Sequence, residues 1–159
     1  MKIALKAEIF EVVSPEQLEQ VGALFRSYQS ELPAQYRFPD SEWQNLPGEY
    51  RSPGGALLLA TVAGAPAGCV ALRPFPLENT CEMKRLCVYP AFRGDKLGRT
   101  LIEQIIQAAR CRGYTRMRLD THPLTMGPAV ELYRRFGFTE VPAEPVPQVD
   151  GLLYMELCL

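Results

Sequence analysis

The sequence CEMKRLCVYPAFRGDKLGRTL, residues 81–101, carries the strongest structural signal in the chain. Its first eight residues are rich in strand-forming side chains and predict a strand over 81–88 that ends before Pro90. From residue 98 to 112 apolar side chains recur at helical spacing, so a helix is predicted that ends before Gly113. A short basic loop with two glycines therefore joins a strand directly to a helix.

This loop-to-helix junction has the features of an anion-binding site. The first N–H groups of a helix have no partner within it, and the helix dipole places partial positive charge there. A pyrophosphate binds well at such a position. The loop lacks the GK[ST] ending of a Walker loop and the GxGxxG of dinucleotide folds. From the residue types alone, the alternative to an anion-binding site is a tight turn with surface arginines.

The sequence before this stretch predicts a strand and a helix. Weak alternation favours a strand over residues 7–13. Ser14 is a candidate N-cap, Pro15 suits the first helical position, and Gln17 completes a capping box. Apolar residues at helical spacing then extend the helix to about Gln29.

The middle of the chain predicts a hairpin that follows an irregular segment. Residues 56–62 and 67–72 are rich in β-forming side chains and flank Gly64-Ala65-Pro66, which is typical of a hairpin. The segment 33–53 is rich in proline and aromatic residues, and it predicts one short helix capped by Asp40 or Ser41.

After the helix that ends before Gly113, the pattern predicts a strand over 115–120. A helix that opens at Met126 or Pro128 and ends at Phe136 follows, and then a last strand over 152–157. This order of elements predicts one mixed α/β domain over residues 1–159.

Composition restricts the class of protein. The chain has 159 residues, 47% hydrophobic and 22% charged, with a formal net charge of −1, which is ordinary for a globular protein. Its apolar runs fall short of the roughly 18 residues that a membrane span needs. The mixed charge argues against a general nucleic-acid surface. Five cysteines without a CxxC pair, and a single histidine, indicate reduced thiols, no metal site and a cytoplasmic location.

Residues 93–98 resemble motif A of the GNAT N-acetyltransferase superfamily, usually written [RQ]xxGx[GA]. The later LYRRFGF, residues 132–138, resembles the second signature of that family. The resemblance covers about residues 7–157 and is weakest over 33–53. It implies a mostly antiparallel twisted sheet of six to seven strands with a splayed strand pair, flanked by about four helices, in a monomer or a homodimer.

The resemblance implies direct transfer of an acetyl group from acetyl-CoA to a primary amine of a small molecule, peptide or protein. The strand before motif A holds the pantetheine arm and the loop holds the pyrophosphate. The implied cofactor-binding residues are Leu86, Cys87, Val88, Arg93, Gly94, Asp95, Lys96, Leu97, Gly98, Arg99 and Thr100. Lys96 stands where the pattern has a glycine, and we expect a loop helical enough to tolerate it; reduced affinity for the cofactor is the alternative.

Two residues are candidates for the chemistry. Tyr133, on the helix of the second signature, is predicted to protonate the departing thiolate, and packing as a core aromatic is the alternative. Glu82 is predicted to be the base that removes a proton from the amine. Its alternative is a solvated or salt-bridged strand glutamate, paired with Lys84.

The sequence indicates the residues of the acceptor pocket less clearly than those of the cofactor site. Asp120 and His122 follow a strand where a pocket could open, and His122 has either a role tuned by pH or no role. Tyr36 and Arg37 could bind a carboxylate. Alternatively, a cationic amine could be attracted by the acidic residues Glu42, Glu49, Glu82 and Asp120. Two other functions remain open: an acyl-CoA-binding regulatory module on the same fold, and an unrelated α/β protein that binds phosphate or nucleotide.

Overall fold

The computed structural model describes residues 6–159, and seven strands form one sheet in the order β1-β2-β3-β4-β5-β7-β6. Every neighbouring pair is antiparallel except β4 with β5, which is parallel. The mostly antiparallel mixed α/β fold is therefore confirmed. The strands are β1 (Ala7–Glu11), β2 (Ala56–Val62), β3 (Ala65–Pro74), β4 (Thr80–Val88), β5 (Arg116–Thr121), β6 (Thr139–Glu140) and β7 (Leu153–Cys158).

Four α-helices cover the two faces of this sheet. They are α1 (Pro15–Ser30), α2 (Ser41–Gln44), α3 (Leu97–Cys111) and α4 (Pro123–Arg135). The predicted capping box starts α1: the Gln17 N–H donates to Ser14 Oγ, and the Ser14 N–H donates to Gln17 Oε1. The apolar side of α1 packs on one face of the sheet, and α3 with α4 packs on the other. None of the helices among the described residues has the length and apolar character to cross a bilayer.

Three boundaries differ from the sequence prediction. Helix α4 begins at Pro123, because a proline at the first helical position leaves no N–H unpaired, and the chain bends at Met126. The β2–β3 turn is Ala63-Gly64, both with positive φ, because such a turn matches the twist of the strands. The two-residue strand β6 is too short to show a period in the sequence.

One irregularity in β4 opens the sheet. Val70 of β3 faces both Arg85 and Leu86, which is a β-bulge, and Arg85 has a φ of 55°. Strand β4 pairs with β5 only over residues 80–82 against 116–118, although β4 continues to Val88. The two strands diverge beyond that point, which confirms the splayed pair and leaves one edge of β4 without a strand partner.

Candidate active site

The mouth of α3 presents free backbone donors. Among the described residues, the N–H groups of residues 94–99 donate to no protein acceptor, and Thr100 is the first to bond, to the Lys96 carbonyl at 3.1 Å. Gly94 has a φ of 91°, and a Cβ added at Gly94 or Gly98 would meet no atom within 4 Å. This row of open amides at a helix N-terminus suits a pyrophosphate.

Lys96 has a backbone conformation that corrects the sequence prediction. Its φ of 61° and ψ of 18° lie in the left-handed region, so the loop is not helical at this residue. The chain has to reverse here to start α3, and this conformation favours glycine. Lys96 therefore adopts a backbone conformation that favours the glycine of motif A, and this conformation is strained for a lysine. Its side chain is exposed.

A cleft of about 720 Å³ runs from this loop along the end of β4 to α4. Of the predicted cofactor residues, Asp95 and Thr100 lie outside its lining. The others line it: Leu86, Cys87, Val88, Arg93, Gly94, Lys96, Leu97, Gly98 and Arg99. Four basic residues face one acid, Glu31, because Arg135 also lines the cleft. Sequence reasoning missed Arg135, although it lies inside the LYRRFGF signature.

Arg93 makes two contacts that hold the cleft wall. Its Nε donates to the Val88 carbonyl at 2.9 Å. Its NH2 group donates to both carboxylate oxygens of Glu31, each at 2.9 Å, where helix α1 ends. An anion that binds Arg93 would therefore compete with Glu31 for the guanidinium.

Cys87 contributes its backbone to the cleft rather than a nucleophile. Its side chain is buried in the core beneath α1, directly opposite Cys69 of β3. Burial raises the pKa of the Cys87 thiol well above its usual value. The thiol stays protonated near neutral pH, so this geometry gives no support to a covalent acyl-cysteine.

A second cavity of about 260 Å³ lies where β4 and β5 diverge, and we call it the acceptor cavity. All four predicted acceptor residues line it, and so does Tyr133: the set is Tyr36, Arg37, Asp120, His122 and Tyr133. It shares five lining residues with the larger cleft, namely Tyr28, Leu32, Leu86, His122 and Met126. The two spaces therefore meet at the splay.

Tyr133 lies on the buried side of α4 and borders the acceptor cavity. Its ring packs edge-on against Phe138, with the ring centres 5.8 Å apart. Burial, and then the nearby Tyr28 and Cys87, raise the pKa of the Tyr133 phenol above its ordinary value. The hydroxyl stays protonated near neutral pH, as a proton donor must be.

His122 is held in one orientation at the N-cap of α4. Its ring stacks on Tyr36, with the ring centres 4.7 Å apart and the planes 6° from parallel. His122 Nδ1 hydrogen-bonds with the Thr125 hydroxyl, which also lies within hydrogen-bond distance of the His122 carbonyl. Burial lowers the pKa of His122, although the Asp120 carboxylate opposes the shift. The imidazole is therefore neutral near pH 7.

Glu82 lies outside both spaces. Its carboxylate accepts a hydrogen bond from Arg73 Nε at 2.8 Å, and Arg73 also pairs with Glu49. These three residues line a neighbouring cavity of about 600 Å³. The structure does not bring Glu82 together with Tyr133, and its role as the base stays a prediction. The suggested partner Lys84 pairs instead with Asp120, at 3.5 Å.

The chain was compared with known proteins. The sequence model of the acetyltransferase (GNAT) family matches residues 18–138. An uncharacterized N-acetyltransferase of Schizosaccharomyces pombe is 41% identical over 146 residues, which is 90% of this chain and 89% of the relative. An acetyltransferase of Streptococcus agalactiae has a similar fold, with a TM-score of 0.78 and 24% identity over 96% of this chain and 98% of its own.

Solved structures with this fold include one that contains coenzyme A. PaiA N-acetyltransferase of Thermoplasma acidophilum, in complex with coenzyme A, matches with a TM-score of 0.74 and 20% identity. The match covers 98% of this chain and 100% of that chain. Among residues 6–159, no three His, Cys, Asp or Glu side chains form a group that could hold a metal ion.

Proposed function

Because the chain belongs to the acetyltransferase (GNAT) family, we propose that it transfers an acetyl group from acetyl-CoA directly to a primary amine of a small molecule or peptide. The observation that carries this proposal is the meeting of two spaces at the splay of β4 and β5. The larger space offers phosphate-binding amides at one end, and the smaller one holds ionisable side chains. Acetyl-CoA supplies an activated thioester, and the protein positions the two reactants.

The cofactor fits the larger cleft in three respects. The open amides of residues 94–99 can bind the diphosphate. Lys96, Arg99 and Arg135 add positive charge around it. The unpaired edge of β4 near Leu86 can hydrogen-bond the amides of the pantetheine arm. The same edge offers a backbone N–H to polarise the thioester carbonyl.

Tyr133 is the proton donor in this proposal. It borders the acceptor cavity, and its raised pKa keeps a proton on the hydroxyl. The amine nitrogen bonds to the carbonyl carbon, the carbon–sulfur bond breaks, and the leaving sulfur takes the proton of Tyr133. The proton that the nitrogen loses as it becomes an amide returns Tyr133 to its phenol form. Coenzyme A then departs as the neutral thiol.

His122 suits the role of base better than Glu82 does. An amine attacks only when it is neutral, so its ammonium form first has to lose a proton. A neutral imidazole can accept a proton, and His122 lines both spaces where they meet. The Glu82 carboxylate is paired with Arg73 in the neighbouring cavity. His122 therefore takes the proton and releases it to solvent through the acceptor cavity.

The test is release of coenzyme A thiol from acetyl-CoA in the presence of a panel of primary amines, together with calorimetry of coenzyme A binding. We expect binding, and turnover with a subset of the amines. Binding without turnover of any amine would favour a regulatory acyl-CoA-binding module instead. Displacement of bound ligand by ATP but not by coenzyme A would contradict the proposed cofactor.

A further inference from the structure

The acceptor cavity carries an excess of positive charge. Among the described residues that line it, three are cationic, Arg37, Lys84 and Arg85, and one, Asp120, is acidic. Lys84 pairs with Asp120, with Nζ 3.5 Å from the carboxylate. Two of the four charges therefore offset each other, and the remaining two are positive.

Arg85 is also neutralised, by a residue behind the cavity wall. Its Nε and NH2 groups donate to the two carboxylate oxygens of Glu42, at 3.1 and 2.8 Å. The pair is largely buried, with 16% of the Arg85 side chain and 18% of the Glu42 side chain exposed. The charge of Arg85 is therefore offset by the Glu42 carboxylate.

Arg37 is the cation that remains. It is exposed, it lines the cavity, and no carboxylate of the described residues lies within salt-bridge distance of it. Its Nε donates to the Leu32 carbonyl at 3.3 Å, which restrains the side chain. The two terminal nitrogens stay available, and a guanidinium with two parallel donors matches a carboxylate.

We propose that the acceptor carries a carboxylate beside its amine, and that Arg37 binds this carboxylate. The inference rests on the proposed function and names the class of acceptor: amino acids. Arg37 directly follows Tyr36, whose ring stacks on His122. Arg37 and the proposed proton acceptor His122 line the same small cavity, which suits an amine and a carboxylate on one small molecule. Asp120, already paired with Lys84, does not offer an equivalent site for a second ammonium group.

The test uses two bisubstrate probes, in which the sulfur of coenzyme A is joined through an acetyl group to L-alanine or to L-alaninamide. The two probes differ only in the charge of the terminal group. We expect the acid probe to bind the wild-type protein up to about fivefold tighter than the amide probe, the usual range for an ion pair at an exposed side chain. In Arg37→Ala the difference should disappear, and Arg37→Lys should restore part of it because charge remains without the fork.

Arg51→Ala is the matched control. Arg51 is exposed and lies outside the linings of the three spaces described above, so this variant should keep the wild-type difference. Binding of coenzyme A alone should be equal in all variants, which verifies that each is folded. Equal affinity of the two probes for the wild type would overturn the carboxylate proposal and leave the proposed function standing. No binding of coenzyme A or of either probe would instead remove the proposed function itself.

Discussion

Replacing Lys96 by glycine should make the protein more stable. A residue with a side chain in the left-handed conformation costs roughly 1–2 kcal/mol, whereas glycine gives back about 0.5–1 kcal/mol because its unfolded chain is freer. The Lys96 side chain is exposed and makes no hydrogen bond among the described residues, so the substitution removes no contact in the ligand-free protein. We therefore expect a net gain of about 0.5–1 kcal/mol in the free energy of unfolding.

Lys96→Ala is the matched control for the backbone. Alanine also removes the ammonium group but keeps the Cβ, so it stays strained and should lie within about 0.5 kcal/mol of the wild type. For a chain of this length 1 kcal/mol shifts the melting temperature by roughly 2–4 °C. The Lys96→Gly variant should thus have a melting temperature about 1–4 °C above that of the Lys96→Ala variant in a thermal unfolding experiment.

The same two variants separate charge from backbone in cofactor binding. Both lose one exposed cation beside the phosphate site, so the affinity for coenzyme A measured by calorimetry should fall equally, by at most about fivefold. Equal melting temperatures for glycine and alanine would refute the left-handed conformation at residue 96. Stronger binding of coenzyme A by Lys96→Gly than by Lys96→Ala would show that the backbone strain also distorts the amides of the loop.

Three further predictions concern the proposed chemistry. Burial lowers the pKa of His122, and the base has to be neutral to accept a proton. We therefore expect kcat/KM to be constant above that pKa and to fall about tenfold per pH unit below it. His122→Gln should abolish this acidic limb of the pH profile and lower kcat by about 10²- to 10⁴-fold. A limb that persists in the variant would assign the titration to another group. Tyr133→Phe should lower kcat by about 10²-fold with unchanged affinity for coenzyme A, and an equal loss of both would make the residue structural. Glu31→Gln should release Arg93 and tighten coenzyme A binding up to about fivefold by calorimetry, whereas Glu19→Gln, on the exposed side of α1, should not; equal behaviour of the two variants would argue against competition.

One wall of the larger cleft could be predicted from the sequence because its parts are contiguous. The end of β4, the loop and the start of α3 lie within residues 86–99, and strand, glycine and helix signals are all local. The conformation of Lys96 could not be predicted, because the reversal of the chain before α3, and not the propensity of lysine, determines its φ.

The acceptor side could be predicted only in part. The sequence indicates Tyr36 and His122 separately, but their stacking joins positions 86 residues apart and leaves no periodic signal. Arg73 lies opposite Glu82 only in the register of β3 with β4. The salt bridge between Arg73 and Glu82, the predicted base, could therefore not be predicted from the sequence. The same holds for the salt bridge between Lys84 and Asp120.

The bulge in β4 joins the two halves of the site. Arg85 has a φ of 55°, which costs about 1 kcal/mol or more for a residue with a side chain. Its guanidinium stabilises this conformation by binding both oxygens of Glu42 and by lying 3.7 Å from the centre of the Phe38 ring. Glu42 and Phe38 belong to the segment 33–53, which also supplies Tyr36 and Arg37 to the acceptor cavity. A change in this segment would therefore alter both acceptor binding and the strand edge that is proposed to hold the thioester.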